Sequence, residues 1–205
     1  MSKLSVELQR YFFEEERDPK VTLADILDLA GERVFGFLFV LLALPSALPV
    51  PAPGYAAPFG FVLFLLAVQL MMGAKRPWFP KGWLRRPIEL EKVQGFLKKG
   101  LPWLQKVELV SRPRLTFICT SFPGRFIIGL AIALMSISMM IIIPGTNTLP
   151  AIGIFITGFG LLDDDGAMSL AGLVVCVIGA TLTALILRFG YEAVKEGIRL
   201  IRQSF

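Results

Sequence analysis

Five apolar runs dominate the chain, at Phe35–Val50, Ala57–Gly73, Phe126–Pro144, Leu149–Leu162 and Met168–Leu187. Crossing a bilayer takes about 20 apolar residues in a helix, within a range of about 17–25. The first, third and fifth runs reach or approach that length, the second is borderline and the fourth is short. The pattern predicts an all-α polytopic membrane protein of about five membrane segments. Two breaks interrupt it. "PSALPVPAPGYAAP" (Pro45–Pro58) and "IIIPGTNTLPAIG" (Ile141–Gly153) each place prolines between apolar runs, and each proline removes a backbone donor. The chain therefore reads as two proline-broken helical hairpins, residues 34–74 and 126–166, flanked by segments 1–33, 75–125 and 167–205.

Between the hairpins the pattern changes. Leu90, Val93, Leu97, Leu101 and Leu104 follow helical spacing amid charges. Pro87 can begin that helix and Pro102 is expected to bend or restart it. All three tryptophans, Trp78, Trp83 and Trp103, lie in this linker, and Trp favours the headgroup level. An interfacial amphipathic linker helix is the expectation, with a helix packed on other cytoplasmic segments as the alternative. Near the N-terminus, Leu4, Leu8, Tyr11 and Phe12 make one apolar helical face. A second helix is signalled by Thr22 and Asp25 at capping-box spacing and by Gly31 at its end.

Gly31, Gly36, Gly60 and Gly73 align with Gly124, Gly129, Gly153 and Gly166 at an offset of 93, as Pro51 does with Pro144. An internal repeat fits this, and so does chance, glycine being common here. Repeated hairpins occur in transporters, and the charges favour a parallel over an inverted relation.

Composition supports the membrane reading: the chain of 205 residues is 55% hydrophobic, above the roughly 45–50% of soluble domains, and its mean hydropathy is +0.67. Residues 75–125 hold twelve Lys or Arg against three acids, whereas residues 1–33 hold five against eight. Lys and Arg favour the cytoplasmic side, which places the N-terminus and linker there and both tips opposite. Anionic headgroups account for this basicity better than nucleic acid does. Five full spans would put Lys195, Arg199 and Arg202 outside, against the same rule. One short run can instead be re-entrant, Leu149–Leu162 being the better candidate by length. The N-terminus lacks the apolar core of a secretory signal.

Candidate chemistry is sparse. Without histidine, a Ser-His triad, a His proton relay and imidazole–metal ligation are excluded. Cys119 and Cys176 make no metal or redox spacing. Pro53, Pro144, Thr146, Asn147, Thr148 and Pro150 at the tips are candidate substrate-binding residues, since irregular backbone at membrane depth must be buried or line a wet cavity. Ordinary extramembrane turns are the alternative. Asp163, Asp164 and Asp165 read as cation or proton handling or as a solvated turn closed by Gly166. Glu32, Arg33 and Arg125 flank the starts of the hairpins, as ion pairs, headgroup anchors or snorkelling side chains. No cofactor or metal is implied.

The segments "VTLADILDLAGERVFGFLFVLLALPSALPVPAPG", "AKRPWFP", "IPGTNTLPAIGIF" and "GLLDDDGAMSLAGL" resemble the ExoD family of bacterial inner-membrane proteins, named for exopolysaccharide synthesis. They cover most of Val21–Leu173. The family's Ile-Pro-x-x-Asn-x-x-Pro tip falls on Ile143, Pro144, Asn147 and Pro150. Its Glu-Arg-Asp-Gly-like turn is matched at Asp165 and Gly166 but not at Asp163 and Asp164, so no positive charge carries over to position 164. The resemblance implies a link to exopolysaccharide production without a defined reaction. The expected role is non-catalytic, as a transporter-like or lipid-handling component in the bacterial inner membrane. The alternative is a scaffold or regulator binding polysaccharide-synthesis proteins, for which "GLLDDDGAMSLAGLVVCVIGAT" offers small residues. Membrane lipids and lipid-linked sugar are the expected partners, nucleic acid is not, and a homodimer is open.

Overall fold

The computed structural model describes residues 4–14, 20–47, 56–84, 87–141 and 147–203. In chain order the helices are α1 (Leu4–Gln9), α2 (Leu23–Ala30), α3 (Val34–Ala47), α4 (Ala56–Met71), α5 (Lys81–Leu84), α6 (Leu90–Val110), α7 (Phe117–Thr120), α8 (Phe122–Met140), α9 (Thr148–Leu162) and α10 (Gly166–Gln203). A π-helical turn, Arg10–Glu14, follows α1. Strands β1 (Lys20–Thr22) and β2 (Pro87–Glu89) pair antiparallel, with Val21 opposite Ile88. Among the described residues the fold is all-α apart from this short ladder, and each of the five apolar runs is helical over most of its described length.

Local signals explain the starts and stops. Thr22 caps α2 as read from the sequence: its hydroxyl accepts from the Asp25 amide at 3.3 Å while Asp25 accepts from the Thr22 amide at 2.9 Å. Gly31 ends α2 at φ +56°, a left-handed angle that favours glycine. Ser121 caps α8, accepting from the Gly124 amide at 3.3 Å. Two expectations are corrected. Pro87 opens β2 rather than a helix, because its segment is taken up by pairing with β1. Pro102 does not restart a helix, since α6 runs through it to Val110. The exposed ring of Pro102 forgoes one internal hydrogen bond.

The core is built between hairpins. α3 packs along α9, and α4 along α8, while the two helices of the first hairpin touch each other little. α9 lies between α3 and α10 because both of its faces are nearly flat. Gly36 of α3 sits against the backbone of Gly158 and Leu162, and Gly172 of α10 against the backbone of Thr157. The small residues of α10 offered to outside partners are in this way used within the chain, with Ser169 against Gly160 and Cys176 against Gly153.

α6 does not present a free apolar stripe. Leu97 and Leu104 are buried in the core, and Gly100 lies against the Leu44 side chain of α3. Gln94 donates to the Phe12 carbonyl, and Lys98 stands over the Phe13 ring at 5.9 Å. Glu108, itself buried, accepts from the Ser5 amide at 2.8 Å. The linker helix is thus clamped on the N-terminal helix and on α3.

Apolar side chains left outside form long faces. On α8 these are Ile127, Leu130, Leu134 and Ile137, and on α10 Val174, Val177, Ile178, Leu182 and Leu185. Among the described residues, two helices are long and apolar enough to cross a membrane, Phe122–Met140 and Gly166–Gly190. Within an 18-residue window of the second, only 17% is buried, unlike the mostly buried core helix of a soluble protein.

Candidate functional site

The sequence-derived site residues separate to the two ends of α9, whose 15 residues span about 22 Å at 1.5 Å per residue. At one end, here the base, lie Asp163, Asp165, Arg125 and Arg33. At the other, the tip, lie Asn147, Thr148 and Pro150. They do not form a single site. Pro53, Pro144 and Thr146 lie outside the described residues, as does the side chain of Glu32.

At the base the charged groups hold backbone. Asp163 follows the last turn of α9, its amide donating to the Phe159 carbonyl at 3.0 Å. Asp164 adopts φ +52°. Asp165 is buried, and its carboxylate accepts from the Met168 amide at 3.1 Å and the Arg112 amide at 2.9 Å. The first contact caps α10; the second pins the segment after α6. Beside it the Gly166 amide donates to the Arg114 carbonyl at 2.6 Å. Arg125 donates to the Ala74 carbonyl at 2.9 Å, and its guanidinium stands over the Phe35 ring at 5.9 Å. A cation just past the end of α4 also suits the helix dipole. One side chain thereby gathers the starts of α3 and α8 and the end of α4. Arg33 is half-buried in the turn before α3.

Cys119 of α7 completes the base. Its thiol lies 3.4 Å from the Gly160 carbonyl and 3.3 Å from the Ser169 hydroxyl. Burial pushes this thiol above its ordinary pKa; the Ser169 hydrogen bond pulls it back in part, and the Asp164 and Asp165 carboxylates add to the rise.

At the tip, Asn147 occupies the cap position of α9, and its carbonyl accepts from the Ala151 amide at 3.1 Å. Asparagine there ordinarily turns its side-chain oxygen onto the amide of the second or third helical residue. The third residue is Pro150, which has no N–H, and Asn147 sits at φ −78°, ψ −23° without a side-chain capping bond. Its Oδ1 is buried with no partner among the described residues. Such a group costs about 1–3 kcal/mol and calls for an explanation. α10 closes the tip: Gly179 faces Leu149, Pro150 and the Met135 sulfur. One turn farther, the buried Thr183 and Ser138 hydroxyls are 2.9 Å apart, joining α10 to α8.

Sequence reasoning passed over Ser138, Thr183, Ser169 and Glu108. The first three are hydroxyls inside or beside apolar runs, where no spacing rule marks them. Glu108 stood in a charged linker, and only its burial against Ser5 distinguishes it.

The family model described as "Exopolysaccharide synthesis, ExoD" matches residues 4–185. An uncharacterized protein of Synechocystis sp. is 50% identical over 190 residues, 92% of this chain and 90% of that protein. Protein ExoD of Rhizobium meliloti is 31% identical over 185 residues, 89% of this chain and 76% of its own length. No solved structure matches.

Proposed function

This chain belongs to the ExoD family, linked to exopolysaccharide synthesis, and from that premise we propose a transporter-like or lipid-handling role in the bacterial inner membrane. The working site is the tip end of the bundle. The observation that carries this is the buried, unpartnered Oδ1 of Asn147. An amide oxygen held out of water without a donor suits a ligand rich in hydroxyl donors, such as the sugar of a lipid-linked intermediate. Thr148 and the Ser138–Thr183 pair supply further hydrogen-bonding groups near the tip.

The outward apolar faces of α8 and α10 support insertion in lipid. α3, α4 and α9 reach roughly 21–24 Å at 1.5 Å per residue, short of the hydrocarbon's roughly 30 Å. Of these, α9 is read as the re-entrant segment, whereas α8, with 19 residues, is long enough to cross. Packing supports the repeat. Gly36 meets α9, and its counterpart Gly129, 93 residues on, meets Ala67 and Met71 of α4. The Arg125–Ala74 and Arg125–Phe35 contacts bring the starts of α3 and α8 together, as a parallel relation requires. The N-terminus and the basic linker are assigned to the cytoplasm.

A scaffold for polysaccharide-synthesis proteins is the second reading, favoured by the exposed Lys75, Arg76, Arg112 and Arg114 at the base. Flux separates the two. Purified protein in proteoliposomes is expected to speed passage of a fluorescent lipid-linked sugar across the bilayer. Inserted protein that moves neither this probe nor ions would refute the transporter reading in favour of the scaffold.

A further inference from the structure

Beside the base, a cleft of about 240 Å³ opens between α2, the start of α3 and the segment after α4. Its walls are apolar, formed by Ala24, Leu27, Val34 and Leu84 among others, and among the described residues two opposite charges line it, Asp28 and Arg76. Gly31, at the turn between α2 and α3, is also in the lining. Neither the Asp28 carboxylate nor the Arg76 guanidinium has a hydrogen bond or ion pair among the described residues, and both are exposed.

The Arg76 side of the cleft is fixed in place. Gln69, a polar residue on the otherwise apolar α4, accepts from the Trp78 amide at 2.5 Å and donates to the Trp78 carbonyl at 3.3 Å. That clamp sets residues 76–78 just past the end of α4, where an apolar helix meets its first charges. Trp78 is 74% exposed, and tryptophan favours the boundary between hydrocarbon and headgroups.

We propose that this cleft binds the headgroup of an aminophospholipid. The phosphate pairs with Arg76, the ammonium pairs with Asp28, and the glycerol end lies along the apolar wall. Guanidinium–phosphate and carboxylate–ammonium contacts are the charge-assisted kind, and a zwitterionic headgroup carries a partner for each. The volume falls below the roughly 300–1,000 Å³ of drug-sized sites, on the scale of a headgroup rather than a polymer. A purely anionic lipid would meet Arg76 but be opposed by Asp28, so the pair selects as well as binds. This inference rests on the membrane reading above and adds to it a lipid of stated chemistry.

The test uses the full-length chain with phosphatidylethanolamine and phosphatidylglycerol in equal amounts. Vesicle flotation comes first, and native mass spectrometry of the detergent-released protein then counts retained lipids. Wild-type protein is expected to float and to retain phosphatidylethanolamine in preference. Asp28→Asn should lower the ethanolamine-to-glycerol ratio about tenfold, the scale of one charge-assisted hydrogen bond. Arg76→Gln should reduce retention of both. Both side chains are exposed, and unchanged circular dichroism checks that the variants fold. A chain that floats but shows the same lipid ratio in all three forms overturns the cleft alone. A chain that does not float overturns the membrane reading and the cleft together. Binding of free phosphoethanolamine with no lipid retained overturns the lipid assignment.

Discussion

The Arg112 amide donates to the carboxylate of Asp165 across 53 residues of sequence, at 2.9 Å. The same carboxylate caps α10 through Met168, so one buried acid joins the end of the linker to the start of the last helix. Asp165 is in this sense a fastening rather than a free charge. Asp165→Ala should lower stability by about 1–3 kcal/mol, the range of a lost cap and an unpaired amide. Asp163→Asn should stay within about 0.5 kcal/mol. Thermal unfolding midpoints in one detergent check this. Equal midpoints for the two variants would remove the fastening role.

Gly36→Ala would set a methyl group 2.5 Å from the Leu162 amide nitrogen and 2.9 Å from the Gly158 carbonyl. Both are backbone atoms, so α3 and α9 must part, at about 1–3 kcal/mol. Gly95→Ala is the contrast. It lies within α6 with nothing within 4 Å and should gain about 0.5–1 kcal/mol through helix propensity. Opposite signs in the unfolding midpoint are expected, and a loss at both positions would contradict the packing argument.

Asn147→Asp replaces an amide with a group that only accepts when ionised, and Asn147→Leu removes hydrogen bonding altogether. Both should abolish exopolysaccharide-linked function while the protein still accumulates in membranes. Pro53→Ala, at the other tip, deletes no polar group and should weaken function less. Complementation of a deletion strain at matched protein level reads this out. Full activity in both Asn147 variants would reduce the stretch to an ordinary turn.

Cys119 titrates above its ordinary value because it is buried. A pKa raised by folding means that the folded state holds the proton more tightly. The stability this contributes is whole below the ordinary value of 9.0 and is lost as pH rises through the higher folded value. In a Cys176→Ala background, the unfolding midpoint of the Cys119 protein should fall more steeply above pH 9.0 than that of Cys119→Ala. Maleimide should label Cys119 slowly at neutral pH until the chain is unfolded. Parallel midpoint curves or immediate labelling would contradict the burial.

Sequence periodicity made the helices legible because composition along one segment decides them. Each apolar run is helical over most of its described residues, and Thr22 and Gly31 bound α2 where the sequence predicts. Partnership is another matter. Leu97 and Leu104 declare an apolar stripe, but lipid and a protein face exert the same pull on it, and only the placement of α1 and α3 decides. Glycine at position 36 shows that something approaches closely, without saying that it is Leu162. At the tip, Asn147 and Pro150 in sequence already carry the missing donor at the third helical position. The backbone angle that leaves Oδ1 inside comes from packing.

Since α3 rests on α9 and α4 on α8, the described helices of the first hairpin share little interface of their own to settle into. Its helices are made before their partners exist. About 115 residues separate the end of α3 from the end of α9, and synthesis at roughly 5–20 residues per second makes that a wait of roughly 6–23 s. On the proposed membrane role, lipid or the insertion machinery holds the newborn half-chain through that interval. Quality control of this protein therefore falls on an unfinished intermediate, and slowed translation between the hairpins would lengthen its exposure to proteases more than a destabilising change in the finished bundle.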